Sequence, residues 1–472
     1  MKPFPFGLGF TSLDRETRVD ALPVTGTVPP WLKGTLLRNG PAKFEVGGQG
    51  LLHWFDGFAM VHRFTFAGGR VAYANRFLQS RAYREALVSG KLTQREFATS
   101  PVRSRWQRFI DFLFPQFTDN CSVNILPFGR ETVALTETPR ALRVDPDSLE
   151  TLGYFEWRPR LPGHLATAHP HFDFQRRCHY GYRLEFGRRS QYHLYRLAAD
   201  SGRQGRVATV SAQKPAYVHS FGMTARHLIL AEFPLVVDPL QLRLRANPFI
   251  ENFRWEPERG VRFHVIDKDT GRLITSALSP PCFAFHHVNA FEGDGEILAD
   301  IVTLPDPGVI QLLYLERLRS GQPVASLGTL TRFHIALDSG KDVWSERLSA
   351  TPIEFPGIHY RHYAGQPYRY VYGVGNQVPG NFGDALVKLD LKTRQTRSWH
   401  QAGCYPGEPV FVAAPTASQE DDGVVLSLVL DTRKQQSFLL LLAAGRYKEL
   451  ARAVLPHPVP FGFHGHYRAA ES

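Results

Sequence analysis

The stretch FHHVNAFEGDGEILAD, residues 285–300, places two adjacent histidines between two segments that are typical of β-strands. A short apolar run leads into His286 and His287, and an acidic turn containing glycine separates the first strand from the second. Because side chains alternate across a strand, at most one of these histidines faces a given site. A lone histidine in this setting is more often a packed core or surface residue than a metal ligand.

Three further stretches favour the metal-ligand interpretation. They are TAHPHFD around His169, YVHSFGMT around His219 and PFGFHGHY around His464. Each places a histidine in a short apolar or aromatic segment next to Pro, Gly or Ser, which suits a ligand fixed on rigid backbone. None carries the CxxC or HExxH spacing of common zinc sites, and the four cysteines are scattered along the chain. A site made of these histidines must therefore gather distant strands around a common axis.

Six motifs together resemble the carotenoid cleavage oxygenase family. AHP, VHSFGMT, FHHVNA and GFHG occur in this order, with NGP and HWFDG near the start. The likeness runs from Leu36 to Tyr467 and is greatest to the animal-type branch, which includes the β-carotene cleavage oxygenases and the retinoid isomerohydrolase of the eye. The stretches that indicate this branch are RNGPAKFEVG, HWFDG, TDNCSVNI, YPGEPVFV and EDDGVVLS.

The resemblance also implies a ligand set. Imidazole suits iron, zinc, copper and nickel, so histidines alone do not name the metal. The resemblance implies one Fe(II) per chain with O2 as co-substrate, held by His169, His219, His286 and His464.

Three glutamates complete this implied site. The family pairs ligating histidines with buried carboxylates, although a lone Glu near a strand end is usually exposed. The implied pairs are Glu137 with His219, Glu354 with His286 and Glu408 with His464, which leaves His169 without a carboxylate. Val123 stands where other members often have Thr beside the vacant iron position, so the oxygen pocket is expected to be more apolar here.

Composition narrows the choice of partners. Aromatic residues make up 12% of the chain, including 34 Phe, which indicates a rigid aromatic interior. The net charge of +11 is compatible with nucleic acid, but the arginines are dispersed and no nucleic-acid motif is present. An anionic membrane surface is the favoured partner, beside an apolar polyene substrate, and no obligate protein partner is expected.

The chain termini and cysteines bear on location. MKPFPFGLGF lacks the features of a signal peptide, and no window approaches the roughly 20 apolar residues of a transmembrane helix. Four unclustered cysteines fit a reducing compartment. We therefore expect a cytoplasmic protein that can associate peripherally with a membrane.

The stretch SPVRSRWQRFIDFLFPQF, residues 100–117, is the candidate membrane segment. Three arginines lie beside large apolar side chains, as in a helix that lies in a membrane interface, although a buried helix with a polar edge fits equally well. The arginines are Arg103, Arg105 and Arg108, and the apolar residues taken as the entry route for substrate are Trp106, Phe109 and Phe112. Relatives insert a segment here into the bilayer, some with a palmitoylated Cys, which this segment lacks.

Repeated hairpins predict an all-β fold. Five stretches each show a strand, an acidic or small-residue turn and a second strand, with turn aspartates at Asp145, Asp200, Asp267, Asp338 and Asp390. A repeat of roughly 65 residues in 472 gives about seven units, the pattern of a β-propeller carrying insertions. The family fold agrees: a single domain over residues 1–472, a seven-bladed propeller with a cap of loops and helices over the metal axis.

Four local predictions concern the first 80 residues. Asn39-Gly40-Pro41 is interpreted as a turn between two strands, and Asp56-Gly57 as a hairpin turn. His53 and His62 are candidate extra ligands, but a role in the core is the favoured interpretation.

The reaction follows from the resemblance alone. It implies that O2 splits a conjugated C=C bond of a carotenoid or apocarotenoid into two carbonyl products, near the centre of the polyene and therefore retinal-forming. A dry aromatic tunnel would position the bond. The alternatives are stilbene cleavage or retinyl-ester isomerohydrolysis on the same scaffold, and a non-catalytic, metal-stabilised binding propeller. Stilbene cleavers carry a Lys near the TDN segment, and residues 117–124 contain none.

Overall fold

The computed structural model describes residues 4–102, 104, 117–244, 247–325, 327–338 and 343–470. These residues form an all-β protein with few helices, as predicted, and every pair of neighbouring strands is antiparallel. Trp106, Phe109 and Phe112 lie outside the described residues, as do the three arginines beside them. No helix within the described ranges is long and apolar enough to cross a membrane.

The strands are numbered β1 to β35 in chain order, and the first four large sheets contain four or five strands each. The first sheet has the order β1 (Thr17–Val19), β7 (Arg70–Phe77), β6 (Phe58–Ala67), β3 (Gly34–Lys43) and β35 (Gly465–Ala469). The second is β11 (Thr151–Tyr154), β10 (Leu142–Val144), β9 (Glu131–Leu135) and β8 (Asn124–Phe128). The third is β12 (Leu165–Ala166), β14 (Cys178–Glu185), β15 (Ser190–Ala198) and β16 (Gln204–Ala212), with β13 (His171–Asp173) also on β14. The fourth is β17 (Gly222–Met223), β18 (His227–Glu232), β21 (Val261–Asp267) and β22 (Leu273–Ser279).

Two larger sheets and two ribbons follow. One sheet is β23 (His287–Glu292), β24 (Glu296–Thr303), β25 (Gly328–Ala336), β26 (Trp344–Gly357), β27 (Tyr370–Gly375), β28 (Ala385–Asp390) and β29 (Gln395–His400). The other is β2 (Val24–Gly26), β34 (Lys448–Val454), β33 (Gln436–Ala443), β32 (Gly423–Asp431) and β30 (Cys404–Pro406), with β31 (Val410–Ala413) also on β32. The ribbons pair β4 (Glu45–Val46) with β5 (Gln49–Gly50), and β19 (Leu235–Val237) with β20 (Phe253–Trp255).

The helices are short. They are α1 (Arg81–Ser89), α2 (Pro239–Leu244), α3 (Gly308–Leu312), α4 (Leu315–Arg319) and α5 (Tyr360–Tyr363), with 3-10 turns at Pro5–Phe10, Trp54–Asp56, Ile250–Asn252 and Pro257–Arg259. Ser80 caps the start of α1 by accepting a hydrogen bond from the Tyr83 N–H, and Gly90 ends the helix in the left-handed conformation.

The five predicted hairpins are present as antiparallel pairs. They are β10–β11, β15–β16, β21–β22, β25–β26 and β28–β29. Asp145 shows the cause, because its Oδ1 accepts the N–H groups of Asp147 at 3.0 Å and Ser148 at 2.7 Å, which fixes the turn. Asp173 and Asp431 make the same kind of turn, so the repeat continues at two positions that the sequence pattern missed.

The predicted turn at Asn39-Gly40-Pro41 is wrong, because β3 continues through all three residues. The Asn39 amide donates to the carbonyls of Cys121 at 2.7 Å and Asn124 at 3.0 Å instead of closing a turn. Gly40 is required by close approach, since a Cβ there would lie 2.3 Å from the Cα of Gly462. A bulge after Pro41 absorbs the proline without ending the strand.

The predicted hairpin turn at Asp56-Gly57 is also wrong. Residues 54–56 form a 3-10 turn, and the buried Asp56 carboxylate accepts the His53 N–H at 3.0 Å and the Ala98 N–H at 2.8 Å. His53 binds the Ile310 carbonyl and His62 the Tyr73 hydroxyl, so neither belongs to the four-histidine group described below.

Candidate metal centre

The four histidines converge although they lie on different sheets. His286 and His464 directly precede β23 and β35, His169 lies two residues before β13, and His219 three residues before β17. One ring nitrogen of each histidine lies within 4.8 Å of the chosen nitrogen of every other histidine. Two nitrogens that bind one metal ion are at most two bond lengths apart, and a metal–imidazole bond is roughly 2.1 Å, so the observed spacing is close to that of a bound site. Because side chains alternate along an extended strand, the neighbouring His287 points away from this group, and its Nδ1 lies 2.9 Å from the Ser220 hydroxyl.

Each predicted carboxylate contacts the histidine for which it was predicted. Nδ1 of His219 lies 2.6 Å from Glu137, Nδ1 of His286 lies 2.5 Å from Glu354, and Nδ1 of His464 lies 2.7 Å from Glu408. A carboxylate only accepts, so these three rings carry their hydrogen on Nδ1 and present an unprotonated Nε2. The contacts fix both the tautomer and the orientation of each ring.

This arrangement fits a cation. The Nε2 atoms of His169 and His219 lie 2.9 Å apart, and those of His286 and His464 lie 3.3 Å apart. With their hydrogens on Nδ1, His286 and His464 direct two lone pairs at each other, with no proton between them. A metal ion bound by these lone pairs would remove that repulsion. The donor set of four neutral imidazoles therefore fits a divalent metal.

Burial favours the neutral, metal-binding form of His169 and His464. Burial lowers the pKa of His169 well below its ordinary value, and the three neighbouring imidazoles lower it further. Burial also lowers the pKa of His464 to about 4, against the opposing effect of Glu408. Burial alone would raise the pKa of Glu408, but His464 and the Arg38 guanidinium outweigh it and hold the pKa below its usual value.

Two partners of the carboxylates were not predicted from the sequence. The Tyr217 hydroxyl lies 3.0 Å from both oxygens of Glu137, and Arg38 forms an ion pair with Glu408. Arg38 also donates to the Phe463 carbonyl at 2.6 Å. Tyr217 lies two residues before His219, which is a usable signal, whereas nothing in the sequence joins Arg38 to Glu408.

A buried amide network ties the backbone of two candidate ligands together. Asn39 pairs with the Phe463–His464 backbone, with N–H···O distances of 2.9 Å in both directions. Its side chain donates to the Asn124 carbonyl at 3.0 Å, and the Asn124 amide donates in turn to the Ala168 carbonyl at 3.0 Å, beside His169. The one histidine without a predicted carboxylate is thus positioned through its backbone.

The candidate metal centre forms part of the wall of a cavity of about 1140 Å³. Three of the four histidines line it, and its apolar lining includes many aromatic side chains, among them Trp54, Phe55, Phe97, Phe285, Phe355, Phe382, Phe461 and Phe463. Their rings pack edge to face or tilted, with centroids 4.7 Å apart for Trp54 and Phe463 and 5.3 Å apart for Phe55 and Phe463. Val123 also lines the cavity. Such a space suits an apolar ligand with a rigid shape.

Fold and site together define an all-β protein with a buried four-histidine group beside an aromatic cavity, and comparison with known proteins agrees. A family model described as "Retinal pigment epithelial membrane protein" matches residues 10–469. The chain is 34% identical to the "Carotenoid-cleaving dioxygenase, mitochondrial" of Mustela putorius furo, over 96% of this chain and 95% of the relative. It is 33% identical to the "Beta,beta-carotene 15,15'-dioxygenase" of Mus musculus, over 94% and 88% respectively.

Solved structures show the same fold. A cobalt-substituted apocarotenoid oxygenase of Synechocystis superposes with a TM-score of 0.87 at 26% identity, covering 99% of this chain and 98% of that one. A chimera of that oxygenase and RPE65 gives a TM-score of 0.86 at 26% identity, with complete coverage of both chains. The chain therefore belongs to the carotenoid cleavage oxygenase family, as its motifs predicted.

Proposed function

We propose that this protein is a non-haem iron dioxygenase that splits a conjugated C=C bond of a carotenoid or apocarotenoid with O2 to give two aldehydes. The observation that carries the proposal is the four-histidine group, with three carboxylates behind it, at the wall of an aromatic cavity. The names of the relatives support the same reaction class, and one of them is a "Beta,beta-carotene 15,15'-dioxygenase". Cleavage near the centre of the polyene, giving retinal-type products, is accordingly our first expectation.

The residues have distinct tasks in this proposal. His169, His219, His286 and His464 would hold one Fe(II) ion, which supplies the activation of dioxygen when bound. Glu137, Glu354 and Glu408 keep the hydrogen of three imidazoles on Nδ1 and fix the rings. The aromatic cavity excludes water and orients a stiff polyene so that one double bond lies next to the metal. Val123 adds hydrocarbon rather than hydroxyl surface near this position.

The proposed architecture is a seven-bladed propeller formed by residues 1–472 as one domain, with loops and short helices as a cap. The seven-stranded sheet supports it, because β26 has 14 residues and pairs with β25 on one side and β27 on the other. Dividing that sheet at β26 gives two four-stranded units beside the five other large sheets. Pairing of β3 with β35 would close the ring.

The proposed route of substrate entry is from a membrane. Pro101 and Phe117, on either side of the segment that contains Trp106, Phe109 and Phe112, both line the cavity. Leu240 and Leu244 also line it and are 63% and 62% exposed. Exposed apolar side chains at the opening would let an insoluble substrate pass from lipid to cavity without crossing water. A cytoplasmic location with peripheral membrane binding remains a prediction.

Product analysis tests the proposed reaction. The purified protein is incubated with β-carotene, several apocarotenals, a hydroxylated stilbene and a retinyl ester, under air and under argon. We expect retinal-type aldehydes only under air. Longer apocarotenals would keep the reaction class and contradict the central position. Retinol isomers formed without oxygen uptake would indicate retinyl-ester isomerohydrolysis instead, and aldehydes from the stilbene alone would indicate stilbene cleavage. If no product depends on the metal, the protein is better described as a non-catalytic binding propeller.

A further inference from the structure

The cavity contains a polar patch that the cleavage of a hydrocarbon does not require. It is formed by side chains from three separate stretches, all lining the cavity: Gln94, Glu96, Thr118, Asn120, Ser122, Thr136 and Thr138. Hydrogen bonds join several of them. The Thr118 hydroxyl donates to Glu96 at 2.8 Å, the Asn120 N–H donates to Thr118 at 3.0 Å, and the Thr138 hydroxyl donates to the Thr118 carbonyl at 2.8 Å.

Glu96 is the unusual member of this patch because it is a buried acid close to two other buried acids, Asp56 and Asp119. It is 3% exposed, and Asp56 and Asp119 are at most 1% exposed. The two aspartates are well satisfied: Asp56 accepts from His53, Ala98 and Thr99, and Asp119 accepts from Arg81, Ala82 and Tyr154. The Glu96 carboxyl, by contrast, has only the side chains of Thr118 and Asn120 as hydrogen-bond donors among the described residues.

Burial therefore favours the protonated form of Glu96. Burial raises its pKa well above the ordinary value, and the negative charges of Asp56 and Asp119 raise it further, outweighing the hydrogen bonds from Thr118 and Asn120. A protonated carboxyl has an O–H to donate, and one oxygen of Glu96 already accepts from Thr118. Buried donors without an acceptor are costly, so a ligand atom that accepts this hydrogen bond would be favoured.

We propose that Glu96 is a specificity-determining residue whose O–H donates a hydrogen bond to an oxygen atom of the substrate, so that the cavity selects oxygenated polyenes over hydrocarbon carotenes. The inference rests on the proposed function and narrows it to polyenes that carry an aldehyde or a hydroxyl group. Glu96 takes no part in bond cleavage. A hydrocarbon substrate would bury this donor unpaired, whereas an apocarotenal carbonyl would satisfy it.

The test compares Glu96→Gln and Glu96→Met. Gln keeps a neutral group that accepts from Thr118 and donates to the ligand, whereas Met fills similar volume and does neither. Binding of an apocarotenal, a hydroxylated carotenoid and β-carotene to the metal-loaded protein is followed under argon by quenching of Trp fluorescence, because Trp54 lines the cavity. Glu258→Met, at an exposed acid, is the control.

We expect Glu96→Met to lower the affinity for the aldehyde relative to β-carotene about tenfold, the effect of one lost hydrogen bond of roughly 1.4 kcal/mol. Glu96→Gln should retain most of the preference, and the control should match wild type. A loss confined to the hydroxylated carotenoid would support the inference with a hydroxyl as the recognised group. Equal losses for all three ligands would reduce Glu96 to a structural residue and overturn it.

Vibrational spectra give a measurement that a purely structural role would not change. The Raman carbonyl band of the bound apocarotenal should lie at lower frequency in wild type than in Glu96→Met, and a carboxylic acid band should be missing from the infrared spectrum of Glu96→Gln. An unshifted carbonyl band in wild type would refute the aldehyde contact even if Glu96→Met fails to fold. If wild type cleaves no polyene under air, the proposed function fails; if it cleaves them without discrimination, only this inference does.

Discussion

Glu354 contacts the imidazole of His286 with one carboxylate oxygen, while its other oxygen has no partner in the described part of the chain. Its Oε2 lies 2.5 Å from Nδ1 of His286 and accepts the Phe355 N–H at 2.7 Å. Its Oε1 is buried and has no hydrogen bond to any residue that the structure describes. Glu137 also contacts the Tyr217 hydroxyl, and Glu408 also forms an ion pair with Arg38. The three carboxylates are therefore not equivalent, and their substitution should have different effects.

Substitution of each carboxylate by Gln should lower metal affinity or turnover by about 10- to 100-fold, because the amide is a poorer acceptor for the imidazole N–H. Glu408→Gln should also destabilise the metal-free protein by about 3 kcal/mol, since the Arg38 guanidinium, only 5% exposed, loses its counter-ion. Glu354→Gln removes no ion pair with any described Arg or Lys, so this variant should unfold close to wild type. Urea denaturation and titration with Fe(II) under argon measure the two effects separately.

Arg38→Met combined with Glu408→Gln is the matched control for that stability difference. Removing both charges should recover part of the lost stability while metal affinity stays low. Wild-type turnover in all three single Gln variants would show that these carboxylates do not support the metal.

Metal content tests the ligand set directly. Protein purified without oxygen should contain close to one iron per chain, and His286→Ala should contain almost none, because it loses one of four converging ring nitrogens. His362→Ala, which removes an exposed imidazole, should keep the wild-type content. Elemental analysis decides the matter. One zinc per chain with full activity would contradict the assignment of iron.

The amide network predicts that Asn124→Leu weakens the metal centre without touching a ligand. Losing the hydrogen bond to the Ala168 carbonyl frees the backbone next to His169, and we expect about tenfold weaker metal binding. Asn75→Leu is the control, because Asn75 is also buried and donates to a backbone carbonyl, that of Arg15 at 2.9 Å. Equal loss of metal in both variants would indicate general destabilisation rather than positioning.

Stability of the metal-free protein should depend on pH through histidines outside the metal centre. Burial lowers the pKa of His62 to about 3 from an ordinary value of 6.5, so between these values the unfolded chain binds one proton more than the folded chain. Stability contributed by this group falls as pH decreases through that window, by up to about 1.4 kcal/mol per pH unit. His62→Gln should flatten the slope by this amount in urea unfolding at pH 4 to 6. His362→Gln should leave it unchanged, and a slope equally steep in both would contradict the burial argument.

Membrane binding is tested at the candidate entry segment. Changing Trp106, Phe109 and Phe112 to Ser should reduce flotation with anionic liposomes, and high salt should weaken wild-type binding. The control changes Leu152, Leu273 and Trp344 to Ser, which are 51%, 49% and 56% exposed and lie elsewhere on the surface. If both triple variants float like wild type, the segment does not contact the bilayer.

The sequence predicted the parts of the fold that local chemistry determines. Turn aspartates such as Asp145 set hairpins through bonds to nearby N–H groups, so a five-residue pattern was enough to find them. The same local reasoning failed at Asn39-Gly40-Pro41, where the side chain binds carbonyls more than 80 residues away and the strand continues. Contacts of that range leave no periodic trace in the sequence.

The candidate site likewise contains residues that the sequence predicted and residues that it did not. Its four histidines and three glutamates could be named because their motifs resemble a known family, whereas spacing alone left them as ordinary strand-end residues. Arg38 was missed because its partner Glu408 lies 370 residues further along the chain. Glu96 was missed because its carboxyl becomes chemically distinctive only when the fold buries it beside Asp56 and Asp119.

The pairing of β3 with β35 has a consequence for how the protein is made. Arg38 and Phe463, which meet at this junction, are 425 residues apart, and His464 follows directly. A ribosome adds residues in order, so one edge of β3 stays unpaired until β35 has been synthesised. The nascent chain has only three of the four histidines until the last of these residues leaves the exit tunnel. Metal binding by all four histidines must therefore wait until His464 has emerged, and a chain that stalls before His464 is left with an open edge and an incomplete site.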